Sequence, residues 1–172
     1  MSLDRFTTRR MLGERLTAGH FADLRRMDGD ERMMATLGGV RDADGTAAYL
    51  ERNLAHWGEH GFGIWMLRDR ETTTMIGRAV LRHLDVEGRD EIEVGYGFLP
   101  EWWGRGLATE VGRTCVQIGR ERLHLHSMVA ITLRENLASQ RVMEKAGLAY
   151  ERDVTYAGLP HVLYRTTYKP EV

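Results

Sequence analysis

The sequence predicts a mixed, mostly antiparallel sheet of six or seven strands flanked by helices, an α+β arrangement within the α/β class. Three observations predict it. The 172 residues sit near the length of about one domain. No repeat, low-complexity run or Gly/Ser/Pro-rich linker divides them, so a single domain over 1–172 is expected. The hydrophobic period changes along the chain, from helical spacing to strand alternation and then to strand–helix–strand–helix–strand.

Taken in order, Arg9–Arg15 reads as a short strand. Helices follow over Ala18–Met27, carrying Phe21 and Leu24, and over Asp30–Leu37, carrying Met33, Met34 and Leu37. Thr46–His60 places Tyr49, Leu50, Asn53, Leu54 and Trp57 at helical spacing, with Asp44 or Thr46 as cap and Gly61 as stop. Phe62–Arg68 and Met75–Leu84 read as strands joined through Asp69–Thr74. Glu91–Leu99 alternates strictly: Ile92, Val94, Tyr96 and Phe98 face one way, Glu91, Glu93, Gly95 and Gly97 the other, and Pro100 closes it. Leu107, Val111, Thr114, Cys115 and Ile118 restore helical spacing. Ser127–Leu133 is a strand, and Asn136–Ala146 a helix capped by Asn136 and ended by Gly147. Leu148–Tyr156 and His161–Lys169 are the last strands, turning at Ala157-Gly158-Leu159-Pro160.

Composition excludes several functions. The 24 Lys and Arg against 25 Asp and Glu leave a net charge of −1, which argues against a general nucleic-acid grip. A local basic pocket for one phosphorylated ligand stays compatible with it. A single cysteine, Cys115, excludes an internal disulfide and a cysteine-built zinc site, and its place on an apolar helix stripe suits a packed thiol. No apolar run reaches the roughly 18–20 residues that span a bilayer, and Met1-Ser2-Leu3-Asp4-Arg5 lacks a secretory signal, so a cytoplasmic location is expected.

The most informative stretch runs from Glu91 to Glu110, where a strand passes through Gly104-Arg105-Gly106-Leu107-Ala108 straight into a helix. The first N–H groups of a helix lack partners, and the macrodipole makes that end positive. Glycines at 104 and 106 let an anion approach those groups, Arg105 can add charge at the rim, and a pyrophosphate is the natural guest. The Walker and Gly-x-Gly-x-x-Gly patterns are both absent. A lone Gly-x-Gly-x-Ala is equally a glycine-rich helix start without a ligand.

Trp103-Gly104-Arg105-Gly106-Leu107-Ala108 resembles the Gln/Arg-x-x-Gly-x-Gly/Ala signature of the GCN5-related N-acetyltransferase (GNAT) family, with Trp103 at the Gln/Arg position. That tryptophan is similar to the Trp-Gly-Lys/Arg-Gly loops of the ribosomal-protein N-terminal acetyltransferase (RimJ/RimL-like) branch. Asn136 to Leu148 resembles a second family segment, Asn-x-x-Ser/Ala-x-x-Val/Leu-x-x-Lys-x-Gly-Phe, with Leu148 for the usual Phe. Leu12–Thr17, Gly61–Trp65 and Ile76–Leu81 extend the likeness over nearly the whole chain.

The resemblance implies the GNAT acyl-CoA N-acyltransferase fold. It also implies acetyl-CoA as co-substrate, no metal, and transfer of acetyl to a primary amine, including a protein N-terminal α-amine, by direct attack. The implied cofactor-binding residues are Phe98, Leu99, Trp103, Gly104, Arg105, Gly106, Leu107, Ala108, Thr109, Asn136 and Ser139. Backbone groups around Gly97, Phe98 and Leu99 would pair with the pantetheine amides, in a V opened between Glu91–Leu99 and Ser127–Leu133. Gly95 and Gly97 would leave their face open beside the thioester, though either glycine reads equally as a bulge or a place of tight helix packing.

Glu93 is the expected general base, with Glu91 as runner-up on the same face; partial burial would raise the pKa of such a base. Both residues are equally readable as solvated strand-face carboxylates. Met143 holds the place of the family's acid tyrosine and cannot donate a proton, so the resemblance gives that task to Ser139, which otherwise bonds backbone at the helix start. Asn136 would both cap its helix and bond the pantetheine arm. Arg141 and Lys145 are further candidates for CoA phosphates.

His56 and His60 stand at i, i+4 without the glutamate of a zinc-peptidase motif, His124 and His126 lack a nearby cysteine, and no Gly-x-Ser-x-Gly elbow is present. Trp57, Trp65, Trp102 and Trp103 read as core or pocket walls, the last two flanking the loop. Two rival readings share the loop: a small-molecule acetyltransferase acting on an antibiotic, polyamine or amino acid, and a catalytically silent CoA-binding module. The N-terminal helices and the Tyr156–Tyr164 region would choose the acceptor, and neither spells it out. Neither nucleic acid nor membrane is an expected partner, and a homodimer is an assembly common among relatives.

Overall fold

A computed structural model describes residues 2–167. It contains one mixed sheet of eight strands in the order β1-β2-β3-β4-β5-β6-β8-β7, flanked by helices. The strands are β1 Arg5–Thr7, β2 Met11–Arg15, β3 Ile64–Asp69, β4 Met75–Val86, β5 Arg89–Phe98, β6 Val129–Leu133, β7 Leu148–Tyr156 and β8 Leu159–Thr166. The helices are α1 Phe21–Asp28, α2 Glu31–Met34, α3 Ala43–His60, α4 Leu107–Glu121 and α5 Leu137–Lys145. Pairing is antiparallel for β1–β2, β2–β3, β3–β4, β6–β8 and β7–β8, and parallel for β5–β6, at Glu93↔Val129. No helix among the described residues is long and apolar enough to cross a membrane.

The sheet has one strand more than the upper expectation. β1 spans three residues, too few for alternation to register, and the strand expected over Arg9–Arg15 begins later, at Met11, after a turn in which the Thr8 hydroxyl accepts the Met11 N–H. Asp42 caps α3 through the Gly45 N–H at 2.8 Å, in place of the expected Asp44 or Thr46. Gly61 ends that helix at φ +73°, as its position predicts. The far end of the expected His161–Lys169 strand includes residues outside the described ones; within them, β8 begins earlier, at Leu159, and the turn is Ala157-Gly158.

Chain contacts divide the molecule into two compact units. The first holds the residues up to Val80 together with Tyr96–Leu107. Its core packs Trp57 of α3 edge-on to Trp65 of β3, ring centroids 5.4 Å apart, with the Trp57 indole N–H donating to the Ile64 carbonyl. Asp28, wholly buried at the end of α1, accepts from Arg41, Arg78 and Thr46 and ties the N-terminal helices to β4. Glu14 of β2 accepts from His20 and Arg68; burial opposes its charge, but those two bonds and the neighbouring charges outweigh it and hold the carboxyl below its usual value. Gly77 lies against Gly97: a Cβ there would collide with the Gly97 carbonyl oxygen and crowd Phe98 Cα at 3.2 Å. Gly77→Ala is therefore expected to destabilise the protein by about 2–3 kcal/mol, measured as a lowered urea midpoint at unchanged m-value.

The second unit holds Leu81–Gly95 and the chain from Ala108 onward. The β4–β5 hairpin turns on Glu87-Gly88, both at positive φ (+52° and +80°), the pair of angles that a two-residue hairpin of right-handed twist requires. Ala157-Gly158 repeats this between β7 and β8. The core joins Ala130, Met143, Ala146, Leu148, Val162 and Tyr164. A register shift between Tyr150 and Arg152 turns Glu151 onto Arg165.

Candidate functional site

In the first unit, β5 ends at Phe98 and Pro100–Trp102 forms a short 3-10 turn, Trp102 and Trp103 donating their N–H groups to the Leu99 and Pro100 carbonyls. The Trp103 indole folds back to donate to the Phe98 carbonyl at 2.8 Å. The residue stays 47% exposed, with the Arg32 guanidinium 5.3 Å from the ring centroid. It is thus a half-open surface rather than core, unlike Trp57 and Trp65.

Gly104 and Gly106 both occupy the left-handed region, at φ +72° and +75°. Space is not the constraint, since a Cβ on Gly104 would meet nothing within 4 Å; the backbone angle is. Leu107 then opens α4, with Ala108 and Thr109 completing the first turn. As in any α-helix, the first N–H groups have no acceptor within the helix and carry the positive end of its dipole.

Arg105 is turned back: its guanidinium donates to the Glu101 carbonyl at 2.9 Å and lies 4.5 Å from the Trp102 ring. A different cation reaches the loop, from a part of the chain far away in sequence. Arg10, between β1 and β2, donates through Nη1 to the Arg105 carbonyl at 2.7 Å. Nothing in the sequence signals this contact, which spans 95 positions.

One expectation for β5 changes. The Gly97 face is not open: Gly97 is buried, and Met33 and Leu37 lie 3.0 Å from where its Cβ would stand. The backbone at Phe98 and Leu99 is already engaged, with the Phe98 carbonyl on Trp103, the Leu99 N–H on the Ile76 carbonyl, and the Leu99 carbonyl on the Trp102 N–H. A ligand amide donating there would address the second lone pair of such a carbonyl.

In the second unit, the tight β4–β5 turn brings Arg82 beside Glu93, and Arg82 Nε donates to Glu93 Oε2 at 2.9 Å. Glu93 is 15% exposed, so it is the partly buried carboxylate expected, but ion-paired rather than isolated. Glu91 is gripped more firmly, with Arg165 donating to both its oxygens at 2.8 and 2.9 Å. Arg165 also donates to Glu151 and Ser127; its hydrogen bonds to Glu91 and then Glu151 raise its pKa, and the contact with Arg165 lowers that of Glu151. The bidentate lock makes Glu91 a strut between β5 and β8. The Glu87-Gly88 turn was the sequence signal that could have placed Arg82 on Glu93.

Asn136 caps α5, its Oδ1 accepting the Ser139 N–H at 3.2 Å while its Nδ2 donates to Thr132 of β6 at 3.0 Å. One of its two amide hydrogens is thereby used within the protein. Ser139 follows in the first turn, half-buried. Met143 is buried in the core, and Arg141 and Lys145 are exposed. His56 donates to the Phe62 carbonyl. Cys115 is fully buried, and burial pushes its thiol up to about 12. The native protein is accordingly expected to release no colour with a disulfide reagent at pH 8, and one equivalent after denaturation.

A sequence model of the family described as Acetyltransferase (GNAT) domain matches residues 10–149. The protein YkkB of Bacillus subtilis is 27% identical over 135 residues, 78% of each chain. An acetyltransferase structure from Agrobacterium tumefaciens superposes with a TM-score of 0.84 at 24% identity, over 98% of this chain and 96% of that one. The ribosomal L7/L12 alpha-N-protein acetyltransferase RimL, solved in complex with coenzyme A, superposes with a TM-score of 0.78 at 13% identity, over 95% of this chain and 97% of that one.

Proposed function

The chain belongs to the GNAT acetyltransferase family, acetyl-CoA-dependent acyltransferases, and from that premise we propose that it acetylates a primary amine, the α-amine of a protein N-terminus, by direct attack on the bound thioester. The observation that carries the reading is the loop into α4, where Gly104 and Gly106 stand in the left-handed region ahead of a helix N-terminus. That backbone fits a diphosphate, because glycine keeps the loop's surface bare and the helix end is positive. The Trp-Gly-Arg-Gly sequence and the likeness in fold to RimL support the ribosomal-protein N-terminal branch.

Acetyl-CoA supplies the activated acetyl group. The residues that would hold it are Trp103 to Thr109, with Phe98, Leu99, Asn136 and Ser139. Glu93, its carboxylate direction fixed by Arg82, takes the proton that the amine sheds, directly or through water. The Ser139 hydroxyl gives its proton to the departing sulfur as the carbon–sulfur bond breaks and the carbon–nitrogen bond forms. Met33 and Leu37 over Gly97 narrow that face of β5, which favours a short acyl group.

The test is thiol release from acetyl-CoA against a panel of peptide N-termini, ribosomal proteins and small amines; the buried Cys115 keeps the protein's own background low. Turnover confined to peptide or protein N-termini is expected, and turnover only with an antibiotic, polyamine or amino acid would replace the acceptor. With an active acceptor, Glu93→Gln lowers kcat about a hundredfold with coenzyme A binding heat retained, and Ser139→Ala lowers kcat about tenfold. A silent module would bind coenzyme A, turn over nothing, and register neither substitution.

A further inference from the structure

We infer that Arg10 is the positioning residue of the diphosphate loop: by gripping the Arg105 carbonyl it aims the Gly106 N–H into the anion cradle. The inference rests on the acetyl-CoA reading above and adds to it a residue outside the loop's own sequence. The peptide joining Arg105 to Gly106 is planar and trans, so its carbonyl and its N–H point in opposite directions. Arg10 Nη1 holds that carbonyl at 2.7 Å, and the N–H is therefore turned away from Arg10. A charged donor on the carbonyl also polarises the peptide, which strengthens its N–H toward an anion.

Arg10 approaches along the side that glycine leaves bare. Its Nη2 lies 3.6 Å from where a Gly106 Cβ would stand. Arg105 cannot serve its own carbonyl, because its guanidinium is committed to Glu101 and stacked on Trp102.

The platform under Arg10 is rigid. Its N–H and that of Met11 both donate to Thr8 Oγ1, and its carbonyl accepts the Arg70 N–H at 2.9 Å. The Arg70 guanidinium in turn donates to the Thr8 and Arg9 carbonyls. A brace delivered from so fixed a turn sets the loop before any ligand arrives.

The experiment compares wild type, Arg10→Ala and Arg10→Lys by calorimetry with coenzyme A and with 3′-dephospho-coenzyme A, alongside amide spectra of protein labelled with nitrogen-15 glycine. Arg10→Ala is expected to weaken both ligands equally, by about tenfold. The Gly106 resonance should shift in the ligand-free protein, with the melting temperature within about 2 °C of wild type. Arg10→Lys should recover part of the loss. A loss confined to coenzyme A would put Arg10 on the 3′-phosphate instead and overturn the brace, as would a melting drop that Arg10→Lys does not rescue. Wild type and Arg10→Ala binding equally well would overturn the brace while leaving the acetyl-CoA reading intact. No heat with wild type would remove both.

Discussion

A Gly104→Val, Gly106→Val double variant is expected to lose coenzyme A affinity at least about a hundredfold while keeping its fold. Both glycines stand at positive φ, where an L side chain costs about 1–2 kcal/mol and a β-branched one more. The loop is exposed, so it can shed that strain by rotating into the ordinary region. The rotation swings the N–H groups off the cradle. Two charge-assisted hydrogen bonds lost at about 1.5 kcal/mol each reach about a hundredfold. Asparagine tolerates the left-handed region, so Gly106→Asn should stay within about tenfold of wild type. If valine and asparagine weaken binding alike, side-chain bulk rather than backbone angle is responsible. If neither weakens it, the diphosphate binds elsewhere and the assignment of the loop is wrong.

What the sequence disclosed follows from which interactions are local. The Asn136 cap and the Gly61 and Gly147 stops are set by neighbours within a turn, and each stands where the spacing placed it. The contacts that define the site's surroundings were invisible for the opposite reason. Arg10 meets Arg105 across 95 positions, Arg165 meets Glu91 across 74, and Met33 covers Gly97 from a separate helix. Alternation along β5 put Glu91, Glu93, Gly95 and Gly97 on one face without saying what covers it. That is why the sequence ranks Glu93 above Glu91 only by place along the strand, whereas the structure separates them by their partners, Glu91 locked through both oxygens by Arg165 and Glu93 bonded by Arg82. β1 escaped notice because three residues are too few to carry a period, and its strand status depends on the register with β2.

The largest stability effect is expected at Asp28. Its carboxylate is fully buried and accepts from Arg41 Nη1 and Arg78 Nη1, both at 2.9 Å, and from the Thr46 hydroxyl at 3.0 Å. Arg78 is itself only 4% exposed, 4.9 Å from the Tyr49 ring, with Met34 Sδ beside Nη2. Asp28→Ala leaves a guanidinium buried without its counter-charge, which costs about 3–5 kcal/mol. Against a total of about 5–15 kcal/mol for a domain, that loss is a large share of all stability. Removing both charges should hurt less than removing one: Asp28→Ala with Arg78→Met is expected to recover about half of the single-variant loss. Chemical denaturation of the four members of this cycle measures the coupling. A double variant no more stable than Asp28→Ala alone would mean that the loss comes from packing among α1, α3 and β4 rather than from a stranded charge.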